Sequence, residues 1–290
     1  MNRYFKIFLS LFLVLMFLLC SCSGKEEEKI YTPDMLNISN TEETFIGCRE
    51  RFLDVMSAMK AKVSILEEGH NKTVKAGNPA EYFLENNYIL TAFSPFPLGT
   101  FDLPIVGGFT KDMNEETAQT FYDSPTRHSD ISYESDGETS FLLKFISEEN
   151  TDEYFAEYNK KADSFRYTYS TENNGTEETV EFLEFIRISD NSYAAQSATT
   201  RCFIEFDDEN KIVNFCCGEL RRGEFTTDDS IFPEPSETVN KNWVLAKGKS
   251  QYSNIHTFED GVLTHEDCSS GPWKSIKINQ KDYESAFFQH

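Results

Sequence analysis

The chain has 290 residues, 39% of them apolar and 14% aromatic, with 27 basic against 49 acidic side chains and a net charge of −22. That length supplies ample material for a core, and 26 Phe with 13 Tyr exclude an intrinsically disordered acidic tail. So negative a surface repels nucleic-acid phosphates, which proteins hold through Lys and Arg, and nucleic acid is excluded as a partner.

The chain opens with a basic head at Arg3 and Lys6. An apolar run from Ile7 to Leu19, broken only by Ser10, follows and ends in Leu19-Cys20-Ser21-Cys22-Ser23-Gly24. This is the layout of a secretory signal, and the run is too short to span a bilayer well as a helix. Its ending resembles the lipobox of bacterial lipoproteins, in which a cysteine receives diacylglycerol and becomes the first mature residue. Cys22 fits better than Cys20, because Leu19 stands three places before it and small Ser21 just before it. The resemblance implies loss of residues 1–21 as a signal peptide and several acyl chains on Cys22, enough for a stable membrane anchor. It also implies a place in the cell envelope. Ser23, with no aspartate after the anchor, resembles the pattern of export to the outer membrane rather than retention at the inner one. The covalent lipid is the only cofactor expected. Loss of Arg3 and Lys6 takes the net charge from −22 to −24.

Residues 22–40 then read as an acylated tether, charged and poor in apolar content, with Pro33 discouraging helix. Residues 41–290 read as a single domain. Its clearest element is an amphipathic helix: Phe45, Cys48, Phe52, Met56, Met59, Val63 and Leu66 recur at spacings of three and four. Ser39 with Glu42, or Asn40 with Glu43, offers a capping box, Glu42 and Glu43 suit the positive end of the dipole, and Gly69 offers a stop.

From Tyr88 onward the pattern becomes strands punctuated by turn residues. Asp136-Gly137 joins Ile131–Glu134 to Phe141–Ile146, and Glu172 to Gly175 joins Phe165–Tyr169 to Val180–Ile188. Asp207 to Lys211 joins Thr200–Phe206 to Ile212–Cys217, and Glu259-Asp260-Gly261 joins Tyr252–Phe258 to Val262–His265. Trp273 to Ile278 adds a last strand. A short helix is predicted over Asp152 to Lys161, capped by Thr151, with Tyr154, Phe155 and Tyr158 on one side. Thr226 to Lys241 reads as a long loop. The expected fold is α+β, a helix packed on a large antiparallel meander. In element order alone this is similar to the half-barrel of bacterial lipoprotein-carrier proteins and related periplasmic lipid binders.

Chemistry is sparse. The chain has no G-x-S-x-G nucleophile elbow, no zinc H-E-x-x-H and no phosphate-binding G-x-x-x-x-G-K-[ST]. His265-Glu266-Asp267-Cys268, with His256 across the same predicted hairpin, gathers metal-ligand types. Strand alternation disperses them, so no metal site is assigned. Arg127-His128-Ser129-Asp130 has the residue types of a hydrolytic triad in the wrong, contiguous arrangement. Asp207 to Asn210 and Asp228-Asp229 lack the alternation of a calcium loop and read as solvated turns. After processing, Cys48, Cys202, Cys216, Cys217 and Cys268 remain. Their odd number leaves at least one unpaired, Cys216 and Cys217 must face opposite sides of a strand, and buried free thiols are expected for most.

The most unusual segment is Phe93 to Phe109, with three prolines that exclude a regular helix or central strand. Phe93, Phe96, Leu98, Phe101, Leu103, Ile105, Val106 and Phe109 would form either a buried edge or an apolar flap hinged at Gly107-Gly108. With no catalytic residues assigned, the expected role is a non-enzymatic interaction or structural protein at the membrane. The alternative is a carrier or binder of an apolar ligand such as lipid.

Overall fold

The apolar stripe that begins at Phe45 forms one long helix, α1 (Phe45–Gly77). Thr44 caps it: its Oγ1 accepts the Gly47 N–H at 3.1 Å and its carbonyl accepts the Cys48 N–H at 2.9 Å. The expected cap at Ser39 or Asn40, four or five residues earlier, is therefore corrected. Glu42 and Glu43 precede the helix and its first turn carries no acid. Gly69 does not stop α1 either. A single helical glycine costs only about 1 kcal/mol relative to alanine, too little to end a helix unaided.

The structure is a computed structural model. It describes residues 35–38, 41–77, 114, 116–117, 130–147, 150–173, 176–197, 200–220, 230–232, 239–246, 248, 251–268 and 276–282. Pro33–His290 is one compact unit. Eleven strands among the described residues form one antiparallel sheet in which each pairs with the next in sequence. They are β1 (Asp130–Ser135), β2 (Ser140–Ile146), β3 (Asn150–Asn159), β4 (Ser164–Asn173), β5 (Thr176–Ser189), β6 (Ser192–Ser197), β7 (Thr200–Phe206), β8 (Ile212–Leu220), β9 (Tyr252–Glu259), β10 (Val262–Asp267) and β11 (Ile276–Asn279). The sheet is not closed into a barrel, since β1 and β11 stand at opposite ends of the order.

All four predicted hairpins have their strands where the turn residues put them. At the first, Asp136 Oδ1 accepts the N–H groups of Glu138, Thr139 and Ser140 at 2.7–2.9 Å while Gly137 takes φ +81°. At the last, Asp260 and Gly261 both have positive φ and directly join Glu259 to its partner Val262, the mirror-type turn that matches strand twist. The predicted helix at Asp152–Lys161 is overturned: Asp152–Asn159 belongs to β3, paired with β2 and β4, and Lys160-Lys161 lie in the turn after it. Tyr154 and Tyr158, four residues apart, fit a two-residue period as well as the helical one. Pairing on both sides then supplies the backbone bonds, and Thr, Tyr and Phe favour strands. β6, Ser-Tyr-Ala-Ala-Gln-Ser, carries no strand signal in its sequence. All six of its residues are buried, so it has no polar face to alternate with.

Both faces of the middle of the sheet are covered. On one, α1 meets successive strands as it advances. Phe45 lies against Phe141 of β2 and Phe165 of β4, Phe52 against Phe165 and Phe185 of β5, and Met59 Sδ sits 3.7 Å from Cys202 Sγ of β7. Lys62 Nζ lies 4.7 Å from the ring centre of Phe258 in β9. The apolar side chains among these share one cluster with Leu143, Tyr193, Phe215 and Ile278. On the other face, a short helix α2 (Lys241–Leu245), capped by Asn240, joins Val244 to Phe203, Leu220, Tyr252 and Ile255. Ile231 and Val239 cover Ala162, Ile186 and Ala194 there, so these two residues of the Thr226–Lys241 loop belong to the core. The end of the expected tether is also held: the Leu36 N–H donates to the Asn210 carbonyl at 2.7 Å, and its side chain is buried in the main core.

Candidate functional site

The longest run of metal-ligand and nucleophile types that the fold aligns from separate parts of the described chain is a row across four strands. Cys202 of β7 stands opposite Cys217 of β8, Cys217 opposite His256 of β9, and His256 opposite His265 of β10. Opposed residues of antiparallel strands share a face, so all four side chains lie on the α1 side, and all four are buried. His265 Nδ1 and His256 Nε2 share a hydrogen bond, with ring centres 4.2 Å apart. One imidazole must donate and the other accept. Burial, and then the neighbouring His265, hold His256 well below the usual histidine range. The hydrogen bond with Cys202, and then burial, push the Cys217 thiol well above its ordinary value. Both groups are therefore kept neutral.

Sulfur and imidazole ligands suit zinc or copper. However, three strand spacings separate Cys202 from His265, about 14 Å in a flat sheet, beyond the reach of one ion. Among the described residues no group of three or more His, Cys, Asp or Glu side chains gathers closely enough to hold a metal. The row therefore works as two pairs, a dithiol and a bis-imidazole. Glu266 and Cys268 leave it by strand alternation, as expected, but His256 and His265 are core residues and not a polar hairpin end. The sequence held a signal for half of the row: counting back from the Asp260-Gly261 turn opposes His256 and His265, whereas counting back from Asp207–Lys211 sets Cys202 against Cys216. A bulge that skips Val213 moves that partner to Cys217.

The buried charges serve packing. Glu184, 2% exposed, accepts from Arg166 Nε at 2.8 Å, Gln196 Nε2 at 2.6 Å, Ser230 Oγ at 2.6 Å and the Ile231 N–H at 2.9 Å. With four donors its oxygens are saturated, and it ties the loop before α2 to the sheet. Arg51 of α1 pairs with Asp163, which also accepts from the Tyr158 hydroxyl and lies 3.8 Å from Arg187. Burial and Asp163 raise the Tyr158 hydroxyl well above the usual phenol range, so it stays a donor. Ser57 and Lys60 on α1 have the S-x-x-K spacing of some serine acyl-enzymes. Both are exposed on the helix, without the burial that activates such a serine.

Beside the start of α1 is a cavity of about 290 Å³ with Phe45, Ile46, Phe141 and Tyr158 among its lining and Glu43, Glu138 and Lys160 at its charged edge. Asp207 Oδ1 accepts the Glu209 and Lys211 N–H groups at 2.9 Å, which makes that acidic run a self-bonded turn. Cys22, His128, Asp228-Asp229 and the segment Phe93 to Phe109 lie outside the described residues. No helix among the described residues is long and apolar enough to cross a membrane. Comparison of the chain with protein-family models, with curated proteins and with solved structures found no match.

Proposed function

We propose that the chain is an envelope lipoprotein, anchored by acyl chains on Cys22, that acts through its acidic surface as a non-enzymatic interaction or structural protein. One observation carries this reading over that of a carrier. The face of the sheet that an apolar ligand would need is occupied by α1, whose Phe45, Phe52, Met56, Met59, Val63 and Leu66 are each no more than 3% exposed. The saturated Glu184 and the paired Asp163 further support a scaffold whose polar interior is committed to holding itself together.

Half-barrel curvature belongs to the same proposal. From Phe45 to Lys62 the helix rises about 26 Å, while β2 to β9 spans about 34 Å of strand spacings in a flat sheet. Contacts at both ends support a sheet curled around the helix. The apolar-ligand alternative has support in the cavity beside Phe45, whose 290 Å³ stands at the small end of known ligand pockets.

The test is native purification from envelope membranes with mass spectrometry of whatever co-elutes. A recurrent protein partner and no lipid supports the interaction role. A stoichiometric lipid lost on Phe45→Trp, which narrows the cavity, would replace it with the carrier. The anchor is tested separately by fractionation: a Cys22→Ala chain processed and retained in membranes like wild type refutes lipidation there.

A further inference from the structure

We infer that Cys202 and Cys217 are a disulfide-forming pair, a cross-strand bond that ties β7 to β8 beneath α1. The argument begins with register. The two residues are directly opposed in an antiparallel ladder. The Phe206 N–H donates to the Asn191 carbonyl, on the β6 side of β7. Backbone groups along a strand alternate sides, and the bulged residue of this pair, Val213, lies on β8 and leaves the alternation of β7 unbroken. Counting back from Phe206, the N–H of Cys202 therefore also faces β6. That makes Cys202 and Cys217 a non-hydrogen-bonded pair, the closer of the two kinds, with Cα atoms about 4.5 Å apart. This falls within the roughly 4.4–6.8 Å that a disulfide needs.

Both side chains lie on the same buried face, and Cys202 is the first cause of the raised Cys217 thiol. The other cysteines are worse placed. Cys216 faces the opposite side of β8, in the cluster under α2, and Cys48 Sγ donates to the Asp163 carbonyl at 3.5 Å. Met59 of α1 covers Cys202. The bond therefore forms while the sheet is still open, before α1 closes over it.

With a disulfide-exchanging oxidant such as oxidised glutathione, the step balances. One cysteine thiolate attacks a glutathione sulfur and expels a glutathione thiolate, leaving a mixed disulfide. The second cysteine thiolate attacks the protein sulfur and expels the other glutathione. The two thiol protons and two electrons end on two glutathione thiols.

The experiment refolds the full chain from its reduced, denatured state in a glutathione redox buffer, alkylates the remaining thiols and maps tryptic peptides. Cleavage after Arg201, Lys211 and Arg221 puts the two cysteines in separate peptides, 202–211 and 212–221. The expected product joins them, with fragmentation placing the bond on Cys217 and the alkyl group on Cys216. Closing a loop of this length should favour the folded state on the order of 100-fold over the reduced chain. Native chain with alkyl groups on both Cys202 and Cys217 overturns the assignment. A bond to Cys216 also overturns it, as does a bond that forms without the stability gain, which would mark a non-native register. The result does not depend on the membrane anchor.

Discussion

Gly218→Ala adds one methyl group, and the fold has no room for it. A Cβ at residue 218 would stand 2.4 Å from Cε1 and 2.7 Å from Cδ1 of Tyr252, where carbon atoms prefer about 3.5–4.0 Å. The ring would have to withdraw by about 1 Å. It is fully buried, shares its cluster with Phe203, Leu220 and Val244, and donates its hydroxyl to the Val244 carbonyl. Overpacking of a core costs about 1–3 kcal/mol, and a weakened hydroxyl bond adds about 1 kcal/mol. The backbone at Gly218 is not left-handed, so alanine recovers about 0.5–1 kcal/mol of strand entropy. The net expectation is a loss of about 1–3 kcal/mol, read as a lower urea midpoint in unfolding followed by Trp fluorescence. The background decides the cause. Tyr252→Ala alone should cost about 3–5 kcal/mol, and Gly218→Ala added to it should cost nothing or stabilise slightly. An equal penalty in both backgrounds, or a Gly218→Ala protein as stable as wild type, would refute the steric argument.

Phe52→Ala removes the ring that meets Phe165 and Phe185 edge-on at 5.6 and 5.4 Å; it should cost about 3–5 kcal/mol in the same assay, and a loss under 1 kcal/mol would mean that α1 contributes little to the core. Asp163→Asn leaves the buried Arg51 guanidinium without its counter-charge and should cost about 3–5 kcal/mol. Glu43→Gln breaks a pair 69% exposed on both sides and should change stability by less than about 0.5 kcal/mol; similar effects at the two sites would contradict the burial argument. Burial, partly opposed by Arg201, pushes the Tyr252 hydroxyl up to about 12, against about 10 for an unfolded tyrosine. Its folded pKa is raised, so its contribution is complete below pH 10 and is lost as pH climbs toward 12. Tyr252→Phe should therefore flatten the alkaline fall in stability across that interval, and an unchanged slope would assign the fall to other groups.

Local chemistry was legible in the sequence wherever the nearest neighbours in the chain decide structure. The turns at Asp136-Gly137 and Asp260-Gly261 set their hairpins because only a few residues accept positive φ or bond their own backbone. The stripe from Phe45 to Leu66 set α1 because its period admits no other element. The opposite faces of Cys216 and Cys217 followed from strand alternation. Only the tertiary structure could decide that Asp152–Asn159 is strand, since Tyr154 and Tyr158 fit both periods and pairing with β2 and β4 settled the choice. It alone revealed β6, where burial on both faces erases the alternation that marks a strand. It also built the row of Cys202, Cys217, His256 and His265, whose members are spread over 64 positions of chain. A sequence fixes what each residue prefers beside its neighbours; which strangers meet is decided by register, and register is a property of the whole sheet.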